Sequence, residues 1–178
     1  MVPRTGPPVF LMTIREIQES DAAAFLALCR RLDEETKFML LEPGERTTTE
    51  EEQHQRITAI LSQENQTLLL AENNEKPVGF VAGLGGPCRR NRHCAHVVMG
   101  VLQAFCGQGI GQRLLVELEA WARGHDMRRL ELTVMAHNAR ALKLYEKVGF
   151  VREGIKRHAL VVDGRPVDEL CMAKLIDA

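Results

Sequence analysis

Apolar positions recur along the chain with two periods. Phe25, Leu28, Cys29 and Leu32 fall three and four apart, the stripe of a helix with one buried face, and Ser20 or Asp21 stands where its cap belongs. Thr49-Glu50-Glu51-Glu52 has the form of a capping box, and Ile57, Ile60 and Leu61 mark the apolar side of the helix it would start. Elsewhere the pattern is that of strands. Met12-Thr13-Ile14-Arg15 opens one; Thr67–Ala71 and Val78–Leu84 form two more, joined through Asn73-Asn74-Glu75-Lys76. A further strand, about Cys94–Leu102, follows a basic turn with Arg89, Arg90 and Arg92, and Arg128–Val134 reads as buried through Leu130, Leu132 and Val134. Helical spacing returns at Leu114, Leu115, Leu118 and Trp121, and again between Asn138 and Gly149. Asp163-Gly164 then joins the two strands of a C-terminal hairpin. The order β-α-α-β-β-β-α-β-α-β-β predicts a mixed α/β domain.

Composition fits one such domain over residues 12–178. A chain of 178 residues is long enough to bury a substantial core and short for two domains. Residues 1–11 are rich in proline and glycine and read as a disordered leader, or Met12 as an alternative start. Charge is nearly balanced, with 23 basic against 24 acidic residues, so no global field points to nucleic acid or an anionic membrane. No apolar run reaches membrane-spanning length and no signal-peptide core opens the chain. The odd set Cys29, Cys88, Cys94, Cys106 and Cys171 fits a reducing cytoplasm. Cys88, His93, Cys94 and His96 match no closed zinc spacing, so no metal is expected.

The chemistry concentrates after the fourth strand. The run Val97–Leu102 empties into a loop with glycines at 107, 109 and 111, and a helix follows at once. Glycines let backbone N–H groups crowd around a phosphate, and the helix N-terminus adds partial positive charge. Gly111 is followed by Gln112 and Arg113 rather than Lys-Ser/Thr, which argues against a nucleoside triphosphate. The spacing G-x-G-x-G also departs from the dinucleotide fingerprint. On local evidence alone a tight strand-to-helix connection without a ligand stays open.

Downstream stands His137-Asn138-Ala139-Arg140-Ala141-Leu142-Lys143-Leu144-Tyr145-Glu146-Lys147-Val148-Gly149-Phe150. The pairing of V-x(5)-G-x-G-x-G with N-x-x-A-x-x-x-Y-x-x-x-G-F resembles the GNAT superfamily of acyl-CoA-dependent N-acyltransferases, from about Thr13 to Leu175. The resemblance implies a twisted mixed sheet of about seven strands flanked by about four helices, with acetyl-CoA as cofactor. It places the cofactor along Val101, Leu102 and Gln103, whose strand splays at a bulge where Gly100 could serve. There the backbone would be free for pantetheine amides and the Val101 N–H for the thioester oxygen. The pyrophosphate falls on Cys106, Gly107, Gln108, Gly109, Ile110, Gly111 and Gln112, and the far side on Asn138, Ala141 and Tyr145. Cys106 departs from the Arg or Gln usual there, and a thiol near a helix N-terminus favours its thiolate.

Attack of an amine on a thioester needs an oxyanion donor, a proton acceptor and an acid for the departing thiolate. Tyr145, the only tyrosine, suits the acid, since a phenol stays protonated at neutral pH. Many relatives take a base from the strand before the loop; that strand offers His93 and His96 instead of a carboxylate. Asp33, Glu34, Glu35, Glu42, Glu45, Glu50, Glu51 and Glu52, against Lys37 and Arg46, would attract a cationic amine. The resemblance sets that loop over the acceptor, although helix capping accounts for the last three acids. The expectation is a cytoplasmic N-acetyltransferase acting on a small-molecule primary amine, without nucleic-acid or membrane partners, in a family whose C-terminal strands can pair as a homodimer. The alternatives are acetylation of a protein N-terminus or lysine, and a non-catalytic acyl-CoA-binding module.

Overall fold

The computed structural model describes residues 12–177, so the expected leader lies outside the described residues. In chain order they form β1 (Met12–Glu16), α1 (Ala22–Glu35), α2 (Glu50–Leu61), β2 (Gln66–Asn73), β3 (Lys76–Gly85) and β4 (Cys94–Val101). After these come α3 (Ile110–Gly124), β5 (Arg129–Met135), α4 (Ala139–Lys147), β6 (Val151–Val162) and β7 (Arg165–Leu175). The seven strands make one sheet in the order β1-β2-β3-β4-β5-β7-β6. Every neighbouring pair is antiparallel except β4 and β5, which run parallel. The expected α/β architecture is present.

Alternation along the strands assigns the helices to faces. Phe80 of β3 meets Phe25 of α1 edge-on, with ring centroids 5.1 Å apart. Three residues on, the opposite face of β3 carries Gly83, where a Cβ would lie 2.9 Å from Leu118 Cδ1 of α3. Thus α1 covers one face and α3 the other. Lys174 of β7 pairs with Glu119 of α3 and also donates 2.6 Å to the Val148 carbonyl, which puts the end of α4 beside α3. Leu32, Ile57, Leu70, Val81, Leu114, Leu118, Leu130 and Met172 fill the core between these layers.

Local chemistry explains the element ends. The Thr49 hydroxyl accepts from Glu52 N at 3.2 Å, while the Glu52 carboxylate accepts from Thr49 N at 2.9 Å, a reciprocal cap. Ile57 is fully buried behind it, but Leu61, expected on the same side, is exposed and Gln53 is buried instead. Asn74 and Glu75 have φ of 50° and 62°, and Asp163 and Gly164 have 51° and 71°. Two successive positive φ values are what a tight hairpin turn requires, so both hairpins close as their residues predict.

The sheet opens between its two parallel strands. β4 pairs with β5 only at Cys94–Arg129, Ala95–Leu130 and His96–Glu131, whereas its pairing with β3 runs unbroken to Val101. The strands diverge after His96. The bulge expected near Gly100 does not occur, because the register against β3 holds straight through it. A Cβ at Gly100 would sit 2.7 Å from Leu32 Cδ1 and 3.2 Å from Phe80 Cε1; the glycine lets α1 approach the strand.

Candidate active site

A cavity of about 1740 Å³ fills this split and draws its walls from both faces of the sheet. Gly100 faces α1, so alternation sets Val98 and His96 on that side too. Lateral partners share a face, which carries the assignment through Glu131 and Thr133 of β5 to Cys171 and Glu169 of β7. Met99 points the other way, toward α3 and α4: a Cβ on Gly111 would meet Met99 Cε at 3.3 Å and Leu144 Cδ2 at 2.9 Å.

On the α3 face lies the glycine loop. Gly107 and Gly109 have φ of 81° and 79° with no atom near a prospective Cβ, so backbone conformation alone demands glycine there. Gly111 is different: its φ is not positive, and its missing side chain makes room for Leu144. No side chain caps α3 at Gly109, and the first backbone bond at its N-terminus is Arg113 N to Gly109 O at 3.0 Å. Among the described residues, none of the amides from Gly107 to Gln112 has a protein acceptor. Successive unpaired N–H groups at a helix start form an anion cradle. Arg140 and Lys147 of α4 line the same cavity and enter no ion pair among the described residues.

The strand edge is partly as expected. Leu102 N donates back to Val78 O in β3 at 2.9 Å, so alternation turns the N–H and C=O of Val101 and Met99 into the split. The Val101 carbonyl there accepts from the Cys106 thiol at 3.5 Å, which aims this side chain back at β4. Gln103 differs: its N–H donates to the Glu35 carboxylate at 2.8 Å and is not free. Leu102 is buried and, with Gln108, lies off the cavity wall; the Gln108 side chain donates to Ala104 O at 3.1 Å. Ile110, Gly111, Gln112 and Ala141 line the cavity.

Asn138 caps α4, its Oδ1 accepting from Ala141 N at 3.1 Å, and so fixes the helix that carries Tyr145. Tyr145 is only 8% exposed and lines the cavity; its hydroxyl has no hydrogen-bond partner among the described residues. Burial pushes its pKa up to about 12. A phenol on the cavity wall with no carbonyl partner among the described residues is available to a ligand.

The two histidines separate. His96 is exposed, on the α1 face, and lines the cavity where the split begins. His93 lies in the turn before β4, away from the cavity, and its carbonyl accepts from Arg128 and Arg129. Arg89, Arg90 and Arg92 sit in that exposed turn and also miss the cavity.

The acidic loop is largely self-satisfied. Arg46 holds Asp33 at 2.6 and 3.0 Å, with Asp33 2% exposed. Glu45 accepts from Glu42 N, and Glu52 belongs to its cap. Glu35 accepts from Arg31 as well as from Gln103 N, and both hold its carboxyl below the usual range. What the loop supplies is a strap over the α1 side of the cavity. Lys37 pairs with Asp163 at the β6–β7 turn, and the Phe38 ring lies 5.3 Å from that of His137. Arg165 and Glu169 of β7 complete this wall. Sequence reading missed them: period two along β7 groups the pair on one face, but only the strand order says which.

A protein-family model described as the Acetyltransferase (GNAT) family matches residues 27–150. Among curated relatives, N-alpha-acetyltransferase RimI of Mycobacterium tuberculosis is 40% identical over 91 residues, 48% of this chain and 55% of that protein. L-amino acid N-acetyltransferase AaaT of Escherichia coli is 32% identical over 90 residues, 48% and 54% of the two chains. The chain thus spans about half the length of these curated relatives. A GNAT-family acetyltransferase structure from Streptococcus pneumoniae superposes with TM-score 0.90 at 34% identity, covering 93% of this chain and 99% of that one. The fold also matches yncA of Salmonella typhimurium, solved with acetyl-CoA, with TM-score 0.83 at 22% identity over 93% and 94% of the chains. The family match takes in more than half of the sequence and contains both the glycine cradle and Tyr145: the protein belongs to the Acetyltransferase (GNAT) family.

Proposed function

We propose that the protein transfers an acetyl group from acetyl-CoA to the primary amine of a small molecule, with both substrates bound at once. The observation that carries this reading is the single cavity crossing the split sheet, cofactor chemistry on one face and acceptor chemistry on the other. Unpaired amides at Gly107–Gln112, with Arg140 and Lys147 nearby, suit the phosphates of coenzyme A. The exposed edge of β4 at Met99 and Val101 suits the pantetheine amides, as an added strand would.

In this reading pantetheine lies between pyrophosphate and thioester, so Val101, nearest the cradle, meets the amides. The Met99 N–H, one open position farther along β4, donates to the thioester oxygen as negative charge grows there, in place of the Val101 N–H that sequence suggested. The amine nitrogen bonds to the carbonyl carbon, and His96, on the acceptor side, takes its proton directly or through water. The carbon–sulfur bond breaks, and Tyr145 donates its phenolic proton toward the leaving thiolate. Peptide acetylation, prompted by the likeness to RimI, fits less well, because Lys37–Asp163 and Phe38–His137 cross the α1 side of the cavity where a peptide would have to lie.

The test is CoA release from acetyl-CoA across a panel of amino acids, polyamines, aminoglycosides and peptides. Turnover with one small-molecule class supports the reading. Binding of acetyl-CoA with no amine-dependent CoA release overturns it in favour of a binding module, and turnover with peptides alone favours protein acetylation.

A further inference from the structure

We propose that the acceptor carries an anionic group besides its amine, and that Arg165 is the side chain that reads it. This inference rests on the acetyl-transfer reading and names the acceptor's chemistry. It follows from which charges on the cavity wall the protein leaves unpaired. On the α1 side, Lys37 and Asp163 neutralise each other, and Glu35 is held by Arg31 and by the Gln103 amide. The His137 ring packs against that of Phe38. Beside His96, the proposed proton acceptor, Arg165 and Glu169 remain, and neither enters an ion pair or a side-chain hydrogen bond among the described residues.

Their placement makes them a pair for one ligand. Glu169 lies opposite Met135 of β5, and Cys171, next on the same face, lies opposite Thr133. Arg165 is four residues before Glu169, hence on the same face, with roughly 13 Å of strand between their Cα atoms. Side chains of this length converge from that distance on a molecule the size of an amino acid. The carboxylate suits the ammonium end of the acceptor.

The guanidinium suits the other end. Its fork matches two oxygens of a carboxylate or phosphate group. The nearest acid in sequence, Asp163, is already held by Lys37, so Arg165 stays positive and without a partner. A plain polyamine would place a second cation against it. An amine bearing a carboxylate or phosphate instead satisfies both open charges at once.

The experiment uses the full chain, wild type and Arg165→Gln, with acetyl-CoA and matched acceptors. One set is an amino acid, its carboxamide and the decarboxylated amine; the other is an aminoalkyl phosphate and the matching amino alcohol. Calorimetric binding of each compound to the CoA-loaded protein gives a readout independent of turnover. Wild type should favour the anionic member of at least one set by tenfold or more in kcat/KM and in affinity, and the favoured set tells carboxylate from phosphate. Arg165→Gln should shrink that preference to within about threefold by weakening the anionic members most, with the CoA affinity and the melting temperature unchanged; Arg89→Gln, off the cavity, should leave the preference intact. Equal use of charged and uncharged members, equal loss of both in Arg165→Gln, or no binding of any member overturns the inference. Arg165-dependent binding without CoA release leaves this inference standing and sinks the transfer reading; acetylation without charge preference does the reverse.

Discussion

Replacing Tyr145 with Phe removes one oxygen whose role can be separated from packing. The ring is buried against Phe150, with centroids 5.7 Å apart, and the hydroxyl has no hydrogen-bond partner among the described residues. Deleting it therefore breaks no bond, and stability should change by less than about 1 kcal/mol. The same deletion removes the proposed proton donor. A positioned acid contributes about 10²–10⁴-fold, so kcat should fall by that factor, or roughly 2.7–5.5 kcal/mol of barrier. Acetyl-CoA affinity should stay within about twofold. The raised pKa supplies a second signature. Burial lifts Tyr145 to about 12, so between the ordinary value near 10 and that value the folded state keeps a proton the unfolded chain has lost. Wild type should lose stability relative to Tyr145→Phe over that window by about 1.4 kcal/mol per pH unit, with a pH-independent difference below it. Steady-state rates with the best acceptor, calorimetry and melting curves at several pH values measure all of this. A kcat within threefold of wild type would refute the acid role, and a stability loss of several kcal/mol at neutral pH would show that the hydroxyl is structural.

Three further outcomes follow from the same geometry. Gly109→Ala forces φ near +79° on a residue with a Cβ, a strain of about 1–2 kcal/mol, and acetyl-CoA binding by calorimetry should weaken about tenfold. Asp33→Ala leaves the largely buried Arg46 guanidinium without its carboxylate; denaturant unfolding should show a loss of about 3–5 kcal/mol, and the acceptor KM should rise as the strap loosens. In hydrogen exchange, the Met99 and Val101 amides should be fast in the free protein and protected by acetyl-CoA, while Gly100 and Leu102, turned toward β3, should be slow in both.

The strands, helices and turns were legible because each carries a local cause: period two or 3.6, a reciprocal cap at Thr49–Glu52, a turn pair at Asp163-Gly164. The proposed cofactor side could be put forward from sequence for the same reason, since Gly107 to Gln112 and Asn138 to Tyr145 are each contiguous. The acceptor side was not. As proposed it is assembled from Lys37, Phe38, His96, His137, Arg165 and Glu169, which come from a loop, two strands and a turn. Sequence could weigh the acids between Asp33 and Glu52 only as a sum, and the sum misled. Arg46 cancels the buried Asp33, and local caps occupy Glu45 and Glu52. His93 and His96 were equivalent on paper; the strand begins at Cys94, which leaves one in a turn and the other on the cavity wall.

The opening in the sheet ties the two sides together. Backbone N–H and C=O groups inside a protein normally find partners, and an interior strand finds them on both edges. β4 is interior, yet past His96 its β5 edge has no backbone partner among the described residues, and at Val101 the Cys106 thiol stands in at 3.5 Å, a weak substitute. A missing ladder in the middle of a sheet is costly unless a ligand completes it. The groups left open alternate with those bound to β3, so a chain carrying amides at strand-like intervals is the matching ligand. The same divergence uncovers both faces at one place, with an anion cradle on the α3 side and His96 on the α1 side. A donor anchored on the first can therefore meet an acceptor entering from the second without either leaving its face, which favours direct transfer over a covalent relay through the protein.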